Sequence, residues 1–471
     1  MIPLVFDEVV KALEGRVPGG PPPVSVRGVS TDSRTIRTGE LFFALGGPRF
    51  DGHAYVLDAL AQGAVGAVIR ADRAARLQVE ASAGGVAGVL VQVDDPLAAL
   101  GRLARYHRDQ LSADVIAVVG SNGKTTTKAM IDHVLGARLR GRCSPRSYNN
   151  AIGVPLTLLS AEAADDYLVV EIGTNAPGEV AALAALVRPK MAVITNIGHE
   201  HLEKLRDLEG VAVEECSVLE HLAEGGFAAV NADWPAIGEY LPDRPMTVAT
   251  FGSSATADLR ITDPRYDAPW LGFSINGRFG YRLRMPGVHN AANAAGAIAI
   301  ARRWGLEHDE IAARLETFVP PPMRSEVLAV GQVTIVNDAY NANPDSTLAA
   351  IATLEQMPAA GRRILVFGEM CELGPRAARL HRDVGERLRG AAVDLVVLVG
   401  RVAQWLAEDF AGEALFGPRA RTCETVDDCA ALLRELVQPG DVVWLKASRA
   451  VALDRVVQPL RAAFDGAASV S

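Results

Sequence analysis

Short apolar runs alternate with amphipathic stretches along the whole chain, and their spacing divides it into three segments. In residues 1–112 the pattern predicts strands over 41–45, 64–69 and 86–93, and helices over 55–62 and 97–110. In residues 113–320 the apolar runs are nearly continuous, which is typical of strands buried on both faces. These runs predict strands over 115–119, 167–171, 191–197 and 227–231. Helical stretches separate them, as in a parallel sheet covered by helices.

Two further features complete the division. Polar and apolar residues alternate between Asp258 and Met285, which predicts an antiparallel patch inside the middle segment. The run Val319-Pro320-Pro321-Pro322 predicts a linker. Beyond it, strands are predicted over 333–336, 364–367, 395–399 and 442–445. We therefore predict an α/β protein of three domains: residues 1–112, a central parallel-sheet domain of the P-loop ATPase type over 113–320, and a Rossmann-like domain over 321–471.

The composition of the chain limits the kinds of partner that it is expected to bind. The 471 residues fit about three domains. The net charge of −9, from 47 basic and 56 acidic residues, argues against nucleic acid or an anionic membrane as a partner. The five cysteines form no CxxC pair, which is typical of reduced cytosolic thiols. The first residues lack the basic region of a signal peptide, and no apolar run reaches the length of a membrane span. We expect a cytoplasmic monomer without membrane insertion.

The run AVVGSNGKTTT, residues 117–127, joins the strand predicted over 115–119 to a helix predicted over 125–135. Glycines at such a junction let backbone N–H groups at the helix N-terminus face a phosphate, while a lysine binds the β- and γ-phosphates and a threonine hydroxyl binds Mg²⁺. The spacing is shorter than that of the GxxxxGK[ST] loop, so a plain glycine turn is the alternative. The predicted nucleotide-binding residues here are Gly120, Ser121, Asn122, Gly123, Lys124, Thr125 and Thr126.

Polar side chains also follow the two next predicted strands. Glu171 ends the strand over 167–171, and His199, Glu200 and His201 follow the strand over 191–197. Ligands of open parallel sheets bind beyond the carboxyl ends of the strands. We therefore predict a Mg²⁺ site made by Thr125, Glu171 and His201, although Mg²⁺ prefers oxygen ligands to imidazole. Taken singly, Glu171 could instead cap a strand, and His201 could simply begin a helix.

An ordered set of motifs runs through all three segments, and with it the chain resembles the Mur ligases. The first segment contains STDSR (30–34), GELFFAL (39–45) and RFDGH (49–53). The middle segment contains GSNGKTT (120–126), NNAIGVP (149–155), EIGTN (171–175), NIGHEHLE (196–203) and GVHNAAN (287–293). The last contains DAYNANP (338–344), GEMCELG (368–374) and KASR (446–449). The runs YNANP and MCELG resemble the family member that adds a dipeptide.

The resemblance implies an activity. It implies an ATP-dependent, Mg²⁺-dependent ligase that adds D-alanyl-D-alanine to UDP-N-acetylmuramoyl-tripeptide through an acyl phosphate, in cytoplasmic peptidoglycan precursor synthesis. Shielding the acyl phosphate from water implies domain closure about the linkers near residues 113 and 320. Two alternatives stay open: a related ligase that adds a different amino acid, and an inactive nucleotide-binding paralogue.

The resemblance also implies roles for residues at matching positions. Ser33 and Arg34 would bind the uridine diphosphate, and Asn149 and Asn150 would orient the sugar-peptide. The nucleotide would be bound by four further residues: Asn290, Asn293, Arg324 and Asp338. The dipeptide, or closure, would involve Tyr340, Asn341, Asn343, Lys446, Ser448 and Arg449. The implied catalytic residues are Lys124, Glu171, His201 and Glu215.

Glu215 marks a departure from the family. Relatives carry a lysine on the helix after the HLE motif, and that lysine is modified to a carbamate. Here Glu215 aligns with the lysine, and no lysine lies between Lys204 and Lys446. We expect Glu215 to supply the negative charge directly; the alternative is a solvated helix glutamate in a degraded site. Glu214 lies about 100° round the helix, so its replacement by glutamine is expected to be nearly silent. Smaller departures are Glu369, where aspartate is commoner, and Ala447, where glycine is commoner.

Overall fold

The structure is a computed structural model that describes residues 1–47, 50–84, 88–409 and 419–464. Arg49 of the RFDGH motif and residues 86–87 of the strand predicted over 86–93 lie outside the described residues, and that strand begins at Val89. Three parallel or mostly parallel sheets follow one another along the chain. The predicted α/β class is confirmed.

The first sheet is parallel, with the strand order β3-β4-β7-β8. The strands of this part are β1 Leu4–Val5, β2 Ser25–Val26, β3 Gly28–Ser30, β4 Glu40–Phe43, β5 Gly46–Gly47, β6 Phe50–Asp51, β7 Gly66–Arg70 and β8 Val89–Val93. The helices are α1 Phe6–Ala12, α2 Val56–Ala61, α3 Ala74–Ala83 and α4 Pro96–Arg108. Helix α4 starts where it does because Asp95 accepts a hydrogen bond from the Leu97 N–H and Pro96 occupies the first turn.

The middle sheet has nine strands in the order β10-β11-β9-β12-β13-β14-β15-β16-β17. Its strands are β9 Asp114–Val119, β10 Gly141–Cys143, β11 Tyr167–Glu171, β12 Met191–Ile194, β13 Phe227–Asn231, β14 Thr247–Gly252, β15 Leu259–Asp267, β16 Trp270–Ile275 and β17 Phe279–Leu283. Its helices are α5 Lys124–Leu135, α6 Gly153–Ser160, α7 Glu179–Val187, α8 Leu202–Leu205, α9 Leu208–Cys216, α10 Asn290–Arg303 and α11 His308–Glu316. The predicted antiparallel patch is β15–β17.

Strand β9 occupies the switch point of this sheet. The chain passes from β9 to the edge strand β10, returns to β11 beside β9, and then crosses to β12 on the other side. The carboxyl ends of β11, β9 and β12 therefore meet at one edge, where ligands of such sheets bind. The strand predicted over 191–197 ends at Ile194, because Thr195 and Asn196 leave the sheet to contact the loop after β9.

The last sheet has the order β18-β19-β23-β20-β21-β22, with β18 antiparallel to its neighbour. Its strands are β18 Glu326–Val330, β19 Val333–Asp338, β20 Arg363–Phe367, β21 Leu395–Val399, β22 Ala420–Cys423 and β23 Val442–Lys446. Its helices are α12 Pro344–Gln356, α13 Ala377–Arg389, α14 Val402–Asp409, α15 Val426–Leu436 and α16 Val457–Phe464. Central β23 is flanked by β19 and β20, so the ends Asp338 and Lys446 lie in register.

The apolar cores show how these parts are joined. One cluster of buried residues is continuous from the first part, through Phe6 and Leu100, to the middle part, through Leu158 and Val180. The last part has two buried clusters of its own, one on each face of its sheet. The first two parts therefore share a core, whereas the last part has clusters of its own and meets the other parts through polar groups and through apolar contacts that include Leu380 and Tyr266.

Candidate active site

The loop Gly120–Lys124 joins β9 to α5 and requires its glycines. Gly120 has φ 117° and Gly123 has φ 81°, in the left-handed region that favours glycine. A Cβ at Gly120 would collide with Thr195, and one at Gly123 would collide with the amide of Asn293. The loop is held by Asn196, whose backbone oxygen accepts from the Ser121 N–H and whose side-chain oxygen accepts from the Asn122 N–H at 2.7 Å. This close packing shapes the loop that the sequence predicts to face a phosphate at the N-terminus of a helix, and we call residues 120–124 the phosphate cradle.

Lys124 is turned back onto this loop. Its Nζ donates to the backbone oxygen of Gly120 and lies 3.5 Å from Glu200 Oε2. Burial alone would lower the pKa of Lys124, but the carboxylates of Glu200 and Glu215 outweigh burial and raise it. Lys124 is therefore a charged ammonium held at the mouth of the phosphate cradle.

Glu171 ends β11 directly beside the cradle, and both of its carboxylate oxygens accept hydrogen bonds. Its Oε1 accepts hydrogen bonds from Thr125 Oγ1 at 3.1 Å and from Asn149 Nδ2 at 3.0 Å. Its Oε2 accepts from Lys128 Nζ at 2.9 Å, and both partners of this ion pair are almost completely buried. Sequence reasoning missed Lys128. The only signal was its position one turn after Lys124 on α5, which places it on the same face of the helix.

Glu215 is buried behind the cradle, on α9. Its side chain is 0% exposed, and its Oε2 accepts a hydrogen bond from the Gly120 N–H at 2.7 Å. The alternative of a solvated helix glutamate is therefore wrong. Burial raises the pKa of Glu215, although Lys124 opposes this effect.

Glu200 lies close to Glu215 and is a second residue that sequence reasoning left without a role of its own. Burial raises its pKa well above the ordinary value, again against Lys124. Among the described residues, Glu200 Oε1 and Glu215 Oε1 are both buried without a hydrogen-bond partner. Buried carboxylate oxygens of this kind suit a hard cation such as Mg²⁺. No three His, Cys, Asp or Glu side chains of the described ranges enclose a metal by themselves, so further ligands would come from phosphate oxygens or water.

The surroundings of Glu214 contradict the expectation that its replacement by glutamine is nearly silent. The residue is 4% exposed, and its carboxylate accepts hydrogen bonds from the Gly178 N–H at 2.6 Å, the Val180 N–H at 2.8 Å and Thr174 Oγ1 at 3.0 Å. These N–H groups lie at the start of α7, which has no other side-chain cap. Glu214 therefore caps a neighbouring helix, because α9 is packed with α7 on one side and with the cradle on the other.

His201 follows β12 in a left-handed conformation, with φ 49°. Its Nδ1 lies 2.8 Å from Glu372 Oε2 of the last domain, and its Nε2 lies 3.7 Å from Glu200 Oε2. The structure thus brings two of the predicted metal ligands, Thr125 and Glu171, into direct contact. His201 and Glu171 both line one cavity, whereas Thr125 is not among its lining residues.

Asn290 and Asn293, two of the residues predicted to bind the nucleotide, lie at the start of α10. Asn290 is buried, and its side chain donates to the Pro286 carbonyl and accepts from Asn293 at 2.8 Å. Asn293 lies against Gly123 of the cradle. Asn290 therefore orients Asn293, and both line the cavity.

The last domain contributes a second polar wall. Arg324 donates to Thr125 Oγ1 at 3.1 Å, and its guanidinium lies 4.1 Å from the centre of the Tyr340 ring. Lys446 donates to Asp338 at 2.8 Å and to the Asn341 carbonyl.

Three further residues of the predicted dipeptide set, besides Lys446, have protein partners. Ser448 is buried, accepts from the Cys371 N–H and donates to the Ala342 carbonyl. Asn343 caps α12 and donates to Asn122 Oδ1 at 2.9 Å. Arg449 pairs with Asp454 at 2.9 Å and remains half exposed.

One cavity of about 510 Å³ lies between the middle and last domains. Its lining includes residues 121–124, Glu171, Glu200, His201, Asn290, Asn293, Arg324, Asp338, Tyr340, Asn341, Asn343, Lys446, Ser448 and Arg449, but not Thr125 or Glu215. The cavity includes Asn149 and Asn150; Asn150 also accepts hydrogen bonds from the Ile152 and Gly153 N–H groups. Ser33 and Arg34 lie apart from its lining, on a short helical turn of the first domain. Ser33 is buried, whereas Arg34 is 85% exposed and pairs with Asp32. Within the described part of the chain, no helix is both long and apolar enough to cross a membrane.

Comparisons with known proteins agree with this geometry. Three family models match in order: the Mur ligase family, catalytic domain, over residues 25–108; the Mur ligase middle domain over 118–301; and the Mur ligase, glutamate ligase domain, over 323–449. UDP-N-acetylmuramoyl-tripeptide–D-alanyl-D-alanine ligase of Bacillus subtilis is 33% identical, over 92% of this chain and 93% of the relative. The enzyme of the same name from Escherichia coli is 32% identical, over 98% and 99%.

Solved structures extend the likeness to three dimensions. The crystal structure of MurF from Acinetobacter baumannii matches with a TM-score of 0.84 and 28% identity, over 98% of this chain and 99% of that one. MurF ligase from Thermotoga maritima in complex with ADP matches with a TM-score of 0.78 and 28% identity, over 94% and 98%. Since the likeness spans all three domains and almost the full length of each relative, this chain belongs to the Mur ligase family.

Proposed function

We propose that this protein is an ATP-dependent ligase that joins D-alanyl-D-alanine to UDP-N-acetylmuramoyl-tripeptide in peptidoglycan precursor synthesis. The observation that carries the proposal is the single cavity in which the phosphate cradle of the middle domain faces the polar wall of the last domain. Relatives that bear this name match along almost the whole chain. ATP and UDP-linked precursors are cytoplasmic compounds, and we place the reaction there, with the protein acting as a monomer.

Amide formation from a carboxylate requires activation, because the carboxylate is a poor electrophile. An oxygen of the tripeptide carboxylate attacks the γ-phosphorus of ATP, the bond to the β–γ bridging oxygen breaks, and ADP leaves. The amine of the dipeptide then attacks the carbonyl carbon of the acyl phosphate. The tetrahedral intermediate expels inorganic phosphate, and the amine gives up its proton to solvent or phosphate.

The residues of this chain would position the substrates and neutralise the negative charge of the phosphates. The loop amides and Lys124 would bind the phosphates, and the Lys124 ammonium would leave Glu200 for the γ-phosphoryl oxygens. Asn293, oriented by Asn290, would meet adenine. Arg324 and Asp338 would approach the nucleotide from the last domain, with Arg324 stacked on Tyr340.

Thr125, Glu171 and His201 are the proposed Mg²⁺ ligands. Glu200 Oε1 and Glu215 Oε1, which have no hydrogen-bond partner among the described residues, lie nearby, and their carboxyl groups would supply negative charge once deprotonated. When bound, Mg²⁺ would neutralise charge on the transferring phosphoryl group. Lys128 holds the Glu171 carboxylate in one orientation and leaves it only part of its lone-pair capacity for a metal. Glu215 supplies a genetically encoded carboxylate where relatives carry a carbamate.

The other substrates would be divided between the domains. Ser33 and Arg34 would bind the uridine diphosphate, and Asn149 and Asn150 the sugar-peptide. For the dipeptide we propose the residues on the last domain's wall, Tyr340, Asn341, Asn343, Lys446, Ser448 and Arg449. Arg449 is the best placed of them for the dipeptide carboxylate, because its guanidinium is half exposed.

Phosphate release measured with each combination of substrates tests the proposal. We expect release that requires ATP, the UDP-linked tripeptide and D-alanyl-D-alanine together, and a product that contains all five peptide residues. Release with a single amino acid in place of the dipeptide would identify a related ligase, and ATP binding without any turnover would identify an inactive paralogue. In Lys124→Ala we expect turnover to fall by about 10²-fold or more with the fold retained. The unfolding midpoint should fall as well, because the buried carboxyl groups of Glu200 and Glu215 lose their counter-ion.

A further inference from the structure

The loop after β12, residues 195–201, lies between two domains. We call it the β12 loop. On the middle-domain side, Ser121 Oγ donates to the Gly198 carbonyl at 3.1 Å and accepts from the Gly198 N–H at 2.8 Å. The loop carries Glu200 and His201 into the cavity. Two carboxylates of the last domain, those of Asp345 and Glu372, also contact the loop.

Asp345 makes the first of these contacts. It is the second residue of α12, and its Oδ2 accepts a hydrogen bond from the His199 N–H at 2.6 Å. Both carboxylate oxygens also lie 3.2 Å from His199 Nδ1. A side chain on Gly198 would collide with the same carboxylate, so the loop backbone and Asp345 are in close contact. A charged acceptor makes this hydrogen bond stronger than one between neutral groups.

Glu372 makes the second contact, with His201. Its Oε2 lies 2.8 Å from His201 Nδ1, which leaves Nε2 facing Glu200 and the cavity. His201 and Glu372 both adopt left-handed backbone conformations, with φ 49° and 64°. Non-glycine residues keep such conformations only where their surroundings hold them. A carboxylate on Nδ1 fixes the ring orientation and the tautomer of a histidine whose other nitrogen is used.

The contacts with the β12 loop bear on the position of the last domain, because this domain does not share the core of the other two. Its buried apolar clusters belong to its own sheet, whereas the first and middle domains share one continuous core. Closure is therefore expected about the proline linker near residue 320, and not about residue 113. The contacts of Asp345 and Glu372 with the β12 loop are among those that join the last domain to the middle one.

We propose that Asp345 and Glu372 are positioning residues that fix the β12 loop when the last domain closes, so that Glu200 and His201 take their working positions only in the closed enzyme. The inference rests on the proposed ligase function and adds to it. Assembling the site by closure would link formation of the acyl phosphate to the exclusion of water. Asp345 is the stronger element, because it accepts from a backbone N–H and is 36% exposed, whereas Glu372 is 54% exposed and more screened by solvent.

The experiment compares Asp345→Ala, Asp345→Asn and Glu372→Ala with wild type in the full-length protein. Asp427→Ala is the matched control, because Asp427 is also the second residue of a helix with a capping box in the last domain, and its partner, Arg455, belongs to the same domain. Three quantities are measured: turnover and KM for each substrate, the thermal unfolding midpoint, and amide hydrogen exchange in the peptide that covers the β12 loop.

In Asp345→Ala we expect faster exchange in the β12 loop and a fall in turnover of about tenfold, the rate equivalent of one charge-assisted hydrogen bond. The unfolding midpoint should match that of Asp427→Ala. Asp345→Asn should recover part of the turnover, because its amide oxygen can still accept from the His199 N–H. Glu372→Ala should show a smaller loss with the same exchange signature.

Two results would overturn the inference. One is turnover in Asp345→Ala within twofold of Asp427→Ala; the other is unchanged exchange in the β12 loop despite lost turnover. Either would leave the proposed function standing, since that is tested by wild-type turnover. If wild type itself forms no amide, the proposed function fails, and hydrogen exchange still reports whether Asp345 holds the loop.

Discussion

The Glu215 carboxylate accepts a hydrogen bond from the Gly120 N–H at 2.7 Å, so a residue of α9 supports the first glycine of the phosphate cradle from behind. The same carboxylate helps to raise the pKa of Lys124. Position 215 therefore acts on the cradle in two ways: it accepts a hydrogen bond from the loop backbone, and it raises the pKa of Lys124. Both effects favour an acidic group at this position.

We predict that Glu215→Gln lowers turnover by about 10²-fold, because glutamine keeps the hydrogen bond from Gly120 but removes the charge. The measurement is steady-state phosphate release at saturating substrates. Glu209→Gln, at an exposed position on the same helix, is the control and should be close to wild type. Near-normal turnover in Glu215→Gln would show that charge at position 215 is not needed.

Activity should also be independent of bicarbonate. A carbamate forms reversibly from lysine and CO₂, whereas the Glu215 carboxylate is part of the chain. Turnover in CO₂-depleted buffer should equal turnover in buffer with added bicarbonate. A lysine-bearing relative assayed in parallel should lose activity on depletion. A loss in this enzyme as well would point to a modified group elsewhere.

Glu214→Gln should destabilise the protein by about 1–3 kcal/mol. The buried carboxylate accepts from the Gly178 and Val180 N–H groups, and glutamine, with a single acceptor oxygen, leaves at least one of them unsatisfied. The midpoint of urea unfolding measures this. Glu209→Gln again serves as the exposed control, and equal midpoints for the two variants would contradict the capping role.

Substitutions in the first and last domains should each raise the KM for a different substrate. Arg34→Ala should raise the KM for the UDP-linked tripeptide with little effect on the KM for ATP, because the exposed Arg34 lies far from the cradle in the first domain. Arg449→Ala should raise the KM for the dipeptide. Steady-state kinetics with each substrate varied in turn measures both. An effect of both changes on ATP alone would refute this division between domains.

Stability should fall on acidification because of His107. Its side chain is fully buried, and its Nε2 accepts from the Ile2 N–H at 3.0 Å. Burial, with a smaller contribution from the N-terminal ammonium, lowers the pKa of His107 to about 4. Between pH 6.5 and 4 the unfolded chain binds a proton that the folded chain does not, so folding loses up to about 3 kcal/mol across that window. Urea unfolding midpoints measured over this pH range should fall less steeply in His107→Gln.

Many of the strands, and the glycine loop before α5, could be predicted from local sequence patterns. The strands over 167–171, 227–231 and 395–399 are found at the predicted residues, because runs buried on both faces are continuously apolar. The glycine cradle before α5 could also be predicted, since its backbone conformation depends on residues next to one another. The strand predicted over 191–197 was too long, because apolar and polar residues there could not reveal that Thr195 and Asn196 bind the cradle.

The sequence by itself determined the α/β class, the phosphate cradle and the presence of a carboxylate at position 215, because these depend on neighbouring residues or on a motif. Only the tertiary structure decided that Glu214 caps α7, that Lys128 holds Glu171, and that Asp345 meets His199 from 146 residues away. The burial and charge environment of a side chain depend on which elements pack against it. Two adjacent glutamates on one helix can therefore serve two different partners, and no local pattern distinguishes them.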